Sequence, residues 1–442
     1  MNALILTPTD TLMLRDARPM EGTLAGHTQD WPTPDLVAHA LRAALHRSKL
    51  DSHMHQYHPR GQVRITDGDV SRRTAAYGSL LHAGPFPVSD KGGQETWHFP
   101  CPLDIEQNTV TPTCLPAQAG VNGTLPAPLK YCVISLKAPS KENKAPRWIT
   151  AAEWQQYMRA SGSAQEVKAP SRVGKLTNDV VDTEHSYGIE LDDRKRSVED
   201  GSFYSCSYLR MKPGWHIGSF TFSAEKWGKG ERRDVVQELI GSSNGTSTIV
   251  VGGQQRICTA VQRPTADFPL APAPIPAPDA DGKVRIKWVL LTPAIWSRHG
   301  KHPGGWLPTW VDCNTGQVLL QGGDRTRRER EPRAEWRRRL MQSCSPIDAR
   351  LVAAVVGKPL VISGYATEGR LDGAEGPKST HSAAPAGSVY YFECASSADA
   401  EQLCSALNCV STPELTRRSE LLGEQGFGLG MCAPWRFASS LI

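Results

Sequence analysis

The chain is short of several things, and each shortage removes a class of protein. No stretch of its 442 residues approaches the roughly 20 consecutive apolar residues that a membrane helix needs. The opening segment, Met1 to Pro8, has no basic start and too brief an apolar run for an export signal, so a soluble, cytoplasmic protein is expected. None of the eleven cysteines stands at Cys-x-x-Cys spacing. An odd, dispersed set reads as reduced thiols and not as a disulfide framework, and Cys404 and Cys409 are too isolated for a zinc site. There is no Gly-Lys-Ser/Thr loop and no Gly-Gly-Asp-Asp, which removes the signatures of nucleoside triphosphatases and polymerases. Aromatic residues make up only 7% of the chain, and charge of neither sign dominates. The net charge of +5 permits a polyanionic partner without demanding one.

Glycine (39) and proline (33) are plentiful, so short strands joined by turns and insertions are expected, not helical bundles. The length suggests two or three domains. Residues 3–14 read as strand, turn and strand. A helix opens at Thr33-Pro34-Asp35, where an N-cap, a first-turn proline and an early acid coincide. Leu36, Val37, Ala40, Leu41, Ala44 and Leu45 give it one apolar stripe. Residues 46–150 read as loop-rich, and a short helix is expected around Trp154, Tyr157 and Met158. Segment 171–196 is polar yet patterned, with Ile189 and Leu191 alternating with polar neighbours; a projecting hairpin and a surface loop both fit it. Residues 202–209 and 216–222 alternate as strands, 235–240 as a short helix, and 248–261 as one strand bulged at Gly252-Gly253. Spaced prolines over 266–282 mark a linker. The pattern then restarts with a strand over 284–296. Further strands cover 359–363 and 387–393, and an amphipathic helix covers 397–407 with Ala400, Leu403, Cys404 and Leu407 inward. The expected division is an N-terminal domain over 1–265, a linker over 266–283 and a C-terminal domain over 284–442.

Three segments carry candidate chemistry. His53, His55 and His58 have no partner cluster and read as a solvated loop; no metal and no cofactor are expected. Segment 324–339 interleaves arginines with acids, which suits either a salt-bridged face or a patch for nucleic acid or an acidic partner. Residues 423–430, Gly-Glu-Gln-Gly-Phe-Gly-Leu-Gly, let backbone run close to a ligand and point N–H groups at phosphate, or else make tight turns.

Several motifs, in order, resemble one family. Leu14 to Pro19 (Leu-Arg-Asp-Ala-Arg-Pro) looks like its N-terminal signature. Gly84-Pro-Phe86 and Phe99 to Asp104 look like the elements that follow. Val173-Gly174, Tyr187 to Asp192 and Gly201 to Tyr204 resemble its central hairpin, and Val251 to Arg256 resembles a Gly-Gly-Glu-x-Arg strand end. Ile362 to Tyr365, Pro385 to Phe392 and the final glycine loop complete the set. The chain thus resembles the RAMP superfamily of CRISPR proteins, within it the third subunit of the Cmr (type III-B) effector, a Cas-five-like group. Ala17 and Gln254 stand where that pattern has glycine and glutamate, and Glu424-Gln425 where it leads one to expect a basic residue.

The resemblance implies an α+β fold of two ferredoxin-like (RRM-like) domains, with a β-hairpin thumb inserted at about 171–200. It implies a non-catalytic subunit that holds the 5′ repeat-derived tag of CRISPR RNA. That subunit docks the large polymerase/cyclase subunit beside the backbone subunits and meets target RNA only indirectly. Tag binding needs cations, backbone donors and stacking groups together. Arg15 and Arg18 offer planar forks to phosphate, or pair with Asp16. Arg256 follows the glycine pair. Lys378 and His381 sit in a polar loop before Pro385. Gly426, Phe427 and Gly428 offer backbone donors and a ring that either stacks or is core. Arg172, Lys175, His185 and Tyr187 lie on the implied thumb. His, Tyr and Lys there leave open a metal-independent RNA-cleaving enzyme, and a scaffold whose RNA is held by neighbouring subunits is a further alternative.

Overall fold

The computed structural model describes residues 1–15, 25–48, 80–106, 109–118, 124–136, 145–161, 180–189, 204–227, 231–241, 246–263, 267–322, 335, 338, 345–366, 376–377, 379–411 and 415–438. It is a mixed α/β protein built mostly from antiparallel sheets.

The first half centres on strand β1 (Asn2–Pro8), whose alternation sends Leu4 and Leu6 to one face and Ala3 to the other. Helix α1 (Pro34–Ser48) lays Val37, Leu41 and Leu45, all fully buried, on the Leu4/Leu6 face. The expected start at Thr33-Pro34 is where it begins. Strands β2 (Leu80–Lys91) and β3 (Gln94–Pro100) form a hairpin, and β4 (Trp148–Thr150) leads into α2 (Ala151–Ala160). A capping box, with Thr150 and Glu153 each bonding the other's backbone N–H, fixes where α2 starts. The short helix expected here is present, and Trp154, Tyr157 and Met158 are buried on it together with Glu153 and Ala160.

Next come β5 (Val181–Gly188) paired with β6 (Tyr204–Met211), then β7 (Trp215–Trp227) and α3 (Val235–Gly241). Two more strands follow, β8 (Thr246–Val250) and β9 (Ile257–Arg263). The main sheet runs β8-β9-β1-β7-β2-β3-β4.

Two readings of this half change. The segment over 46–150 contains the 12-residue β2, hidden in sequence by Gly84, Pro85 and Pro87. The structure accommodates them with a bulge: pairing to β7 skips from Ala83–Phe220 to Phe86–Gly218, so Gly84 and Pro85 together oppose Ser219. Residues 248–261 are not one bulged strand. The chain reverses at the glycine pair, and β8 and β9 pair with each other, Val250 opposite Ile257.

The second half is a four-stranded antiparallel sheet in the order β11 (Ala349–Val355), β12 (Val389–Cys394), β10 (Val284–Leu290), β13 (Gly430–Pro434). Helix α4 (Ser397–Leu407), capped by Ser396, buries Ala400, Leu403, Cys404 and Leu407 against it. A small sheet of Ala294–Ile295, His381–Ala384 and Leu360–Ile362 stands beside it.

The halves share one core, in which Phe86, Phe99, Phe220 and Trp154 pack with Val289, Tyr391, Met431 and Trp435. Inside the contact region Asp104 and Lys287, both fully buried, pair at 2.5 Å, and the hydroxyls of Tyr157 (2.9 Å) and Tyr391 (3.2 Å) donate to the same carboxylate. The proline-rich segment crosses this surface tied down. Phe268 packs on Phe220 and Phe99, and the Gln155 side chain bonds both the N–H and the carbonyl of Ala271.

Candidate nucleic-acid interface

After β1 the chain runs on through Leu12 and Met13 between two elements distant in sequence. Leu12 exchanges both backbone bonds with Leu209 of β6 at 2.8 Å, and the N–H of Gly253 donates to the Met13 carbonyl at 2.8 Å. Arg15 then bridges to Thr28, whose hydroxyl accepts from the Leu14 N–H. The backbone of Arg15 is therefore pinned while its side chain is exposed. Gly252 is required at this crossing, because with φ +80° a Cβ would lie 2.5 Å from the Met13 carbonyl oxygen. Gln254 and Gln255 follow at φ 55° and 51°, left-handed without being glycine. Both are exposed, and their N–H groups have no acceptor among the described residues.

Arg256 ends this turn. Its Nη1 reaches Asp10 at 3.3 Å, its Nη2 donates to the Gln254 amide oxygen at 3.3 Å, and its guanidinium lies 5.0 Å over the Tyr208 ring. Asp10 also accepts from Arg210 at 2.9 Å, and Arg210 pairs with Glu184 across the β5–β6 hairpin. The Arg210 hydrogen bond holds the Asp10 carboxyl below its usual range. Two arginines thus meet two carboxylates, and this side of the hairpin is charge-balanced. Strand alternation puts His185 and Tyr187 on the opposite side, across from Ser207 and Ser205. Both are exposed there, Tyr187 by 66%.

The glycine loop is elsewhere, and its expected role needs correction. Phe427 is fully buried with Ile295, Ile362 and Ala383, so the ring is core and does not stack on a ligand. The N–H of Gly426 donates to Gly423 and that of Gly428 to Pro293, so neither is a free donor. The loop seats on the first half instead. At Gly426, φ +100°, a Cβ would lie 2.8 Å from His82 Nδ1. His82 is fully buried, and burial pushes its pKa down to about 4. The neutral ring donates from Nδ1 to the Gln425 carbonyl and accepts at Nε2 from Ser219. His381 lies in the small sheet opposite Ile362, and partial burial lowers its pKa.

Arg15, Arg256, His185 and Tyr187 are therefore linked through one set of backbone contacts, and Gly426, Phe427, Gly428 and His381 belong to a second locality. Arg18, Arg172, Lys175, Lys378, the three clustered histidines and nearly all of the arginine-rich segment lie outside the described residues. Sequence reading missed Asp10, Tyr208 and Arg210. Asp10 reads only as a turn residue, and nothing local marks the other two, because their meeting depends on strand register. No group of His, Cys, Asp or Glu among the described residues is arranged to hold a metal. No described helix is long and apolar enough to cross a membrane.

The chain is a CRISPR-associated protein. It belongs to the Cas_Cmr3 family, whose model matches residues 4–435, so the resemblance read from the ordered motifs holds across the chain. None of the curated proteins compared with it matches significantly. Among solved structures it is similar to a chain of a Type III-B Cmr-beta complex bound to cognate target RNA and AMPPnP (14% identity, 88% of this chain and 86% of that one, TM-score 0.40). A Cmr-beta complex bound to cognate target RNA gives 13% identity, the same coverage and a TM-score of 0.38. An apo Cmr-beta structure gives 10% identity over 60% of this chain and 97% of that one, with a TM-score of 0.27. At these scores the family assignment rests on the family model alone.

Proposed function

We propose that this Cas_Cmr3 protein is the non-catalytic subunit that binds the 5′ repeat-derived tag of CRISPR RNA in a type III-B effector and docks the large polymerase/cyclase subunit onto the backbone subunits. The observation that carries the reading is that backbone bonds join three segments that carry the family resemblance. The Met13–Gly253 and Leu12–Leu209 backbone bonds join the Arg15 segment, the Gly252–Arg256 turn and the β5–β6 hairpin. Exposed N–H groups at Gln254 and Gln255, the Arg15 side chain and the Tyr187 ring supply the donors, cation and stacking group that single-stranded RNA requires. In this reading β5–β6 is the thumb and each half is ferredoxin-like. The strand order supports the latter: β1, β2, β7, β9 and then β10, β11, β12, β13 each stand in the spatial order fourth, first, third, second, all antiparallel.

Fluorescence anisotropy with a short tag-bearing RNA, against the same RNA with the tag scrambled, tests this. The intact tag binds tighter and its affinity falls with salt by roughly 0.7 log units per log unit for each phosphate contacted. The RNA recovered on a denaturing gel is uncut. A cut product that disappears in His185→Ala would replace this reading with that of a processing enzyme, and equal weak binding to both RNAs would favour a scaffold whose neighbours hold the guide.

A further inference from the structure

Two segments that resemble the family, Phe99 to Asp104 and Pro385 to Phe392, take no part in the contacts around Arg15. They meet each other at the seam between the halves. The N–H of Leu103 donates to the Gly387 carbonyl at 2.9 Å. The approach is close: a Cβ at Gly387, φ +86°, would lie 2.6 Å from the Cys101 carbonyl oxygen. One residue further on, the Asp104 carboxylate is fully buried and accepts from both halves. Tyr157, of its own half, donates to both carboxylate oxygens, at 2.9 and 3.0 Å. From the second half Lys287 donates at 2.5 Å and Tyr391 at 3.2 Å. The Lys287 ammonium also lies 4.2 Å from the centroid of the Tyr157 ring, across the same seam. Its place in β10 explains its direction. Ile286, Trp288 and Leu290 face α4, and alternation turns Lys287 with Val289 toward the first half. The Asp104 backbone is held as well, since its carbonyl accepts from the N–H groups of Thr113 and Cys114 at 2.8 and 2.9 Å.

Apolar contact holds the halves together but has no direction, so it tolerates sliding. Three donors on one buried carboxylate tolerate it far less, because a shift past hydrogen-bond range leaves charges unpaired in the core. We propose that Asp104, Lys287 and Tyr391 form a lock that sets the angle at which the two halves sit, and that the two motifs serve that lock. The apolar cluster around them supplies most of the attraction. Taking both charges out of water offsets most of what their pairing contributes, so the lock adds direction more than stability. It acts whichever ligand the protein carries, and it does not rest on the tag-binding reading.

The test uses the full chain, an apolar variant carrying Asp104→Leu, Lys287→Met, Tyr157→Phe and Tyr391→Phe together, and the single variant Tyr391→Phe. Melting temperature is read alongside amide hydrogen exchange. Four amides donate across the seam: Leu103 to Gly387, Lys130 and Tyr131 to Val352, and Ala438 to Pro116. The amides of β1 and β10, each inside one half's sheet, are the reference. The apolar variant is expected to melt no lower than wild type, while its crossing amides exchange about tenfold faster relative to the reference, the scale of one buried hydrogen bond. Tyr391→Phe, which removes one hydroxyl, speeds the same amides selectively and by less. If exchange rises in proportion at every amide, the network contributes only general stability and the inference is wrong. If the crossing amides keep their wild-type rates, the apolar cluster alone sets the angle and the lock is refuted. An apolar variant that melts well below wild type, or does not fold, overturns the claim that the network adds little stability, and Tyr391→Phe then decides the lock by the same comparison.

Discussion

At the residue scale, the buried ionisable groups decide how the protein responds to mutation and to pH. Asp104 and Lys287 are fully buried partners, so removing one strands the other in the core. Lys287→Ala is expected to cost roughly 3–5 kcal/mol in urea denaturation, and the double change Asp104→Asn with Lys287→Met to recover most of it. His82 and His98 both have pKa values near 4 in the folded protein, driven down by burial, against 6.5 when unfolded. The unfolded chain therefore binds more protons between those values, so stability is full above pH 6.5 and is lost as pH falls toward 4. Each histidine contributes about 3 kcal/mol across that window. A pH series of urea midpoints should show this decline, made shallower by His82→Gln. Residue identity alone did not disclose these roles. Phe427 shows why: a phenylalanine between glycines suits a stacking platform and a core plug equally, and only the partners Ile295, Ile362 and Ala383, brought in from three other segments, decide for the core.

At the element scale, sequence was legible where one local signal was enough. The proline at the start of α1 and the inward set of α4 could be read directly, since capping and 3.6-residue periodicity act within a few residues. β2 could not, because its glycine and prolines are tolerated only through a bulge set by β7, more than a hundred residues later. The Gly252–Arg256 turn escaped for a related reason: a strand with a bulge and a hairpin have the same apolar residues, and the pairing of Val250 with Ile257 separates them. That turn also stores strain. A left-handed non-glycine residue costs roughly 1–2 kcal/mol, so Gln255→Gly should stabilise the protein by about 1 kcal/mol. Gly252→Ala should do the reverse and weaken tag-RNA binding, because its methyl collides with the Met13 carbonyl and pushes Arg15 away from the turn. Chemical denaturation and RNA anisotropy on both variants check the pair. At the head of α2, Thr150→Ala should cost about 1 kcal/mol, the usual value of an N-cap.

At the scale of the whole molecule, the proline-rich segment reads as a spacer, yet Phe268 packs on Phe220 of the first half while Lys283 and Asp279 pair with Glu393 and Arg285 of the second. The core cluster that holds both Phe220 and Met431 is shared, so each half has an apolar face that the other covers. Calorimetry should therefore give one transition whose calorimetric and van't Hoff enthalpies agree, and not two. Two separate peaks would show that the shared core contributes little to cooperativity.

The seating of the Gly423–Gly426 turn on His82 and Pro34 also bears on the order of synthesis. The first half contains nearly all of its own sheet by residue 263, but the groups that cover His82 and the head of α1 come from beyond residue 422. A ribosome moving at about 5–20 residues per second needs on the order of ten seconds or more to add that stretch. Throughout that interval the nascent first half carries an open seat on α1, and other macromolecules can reach it until the turn arrives.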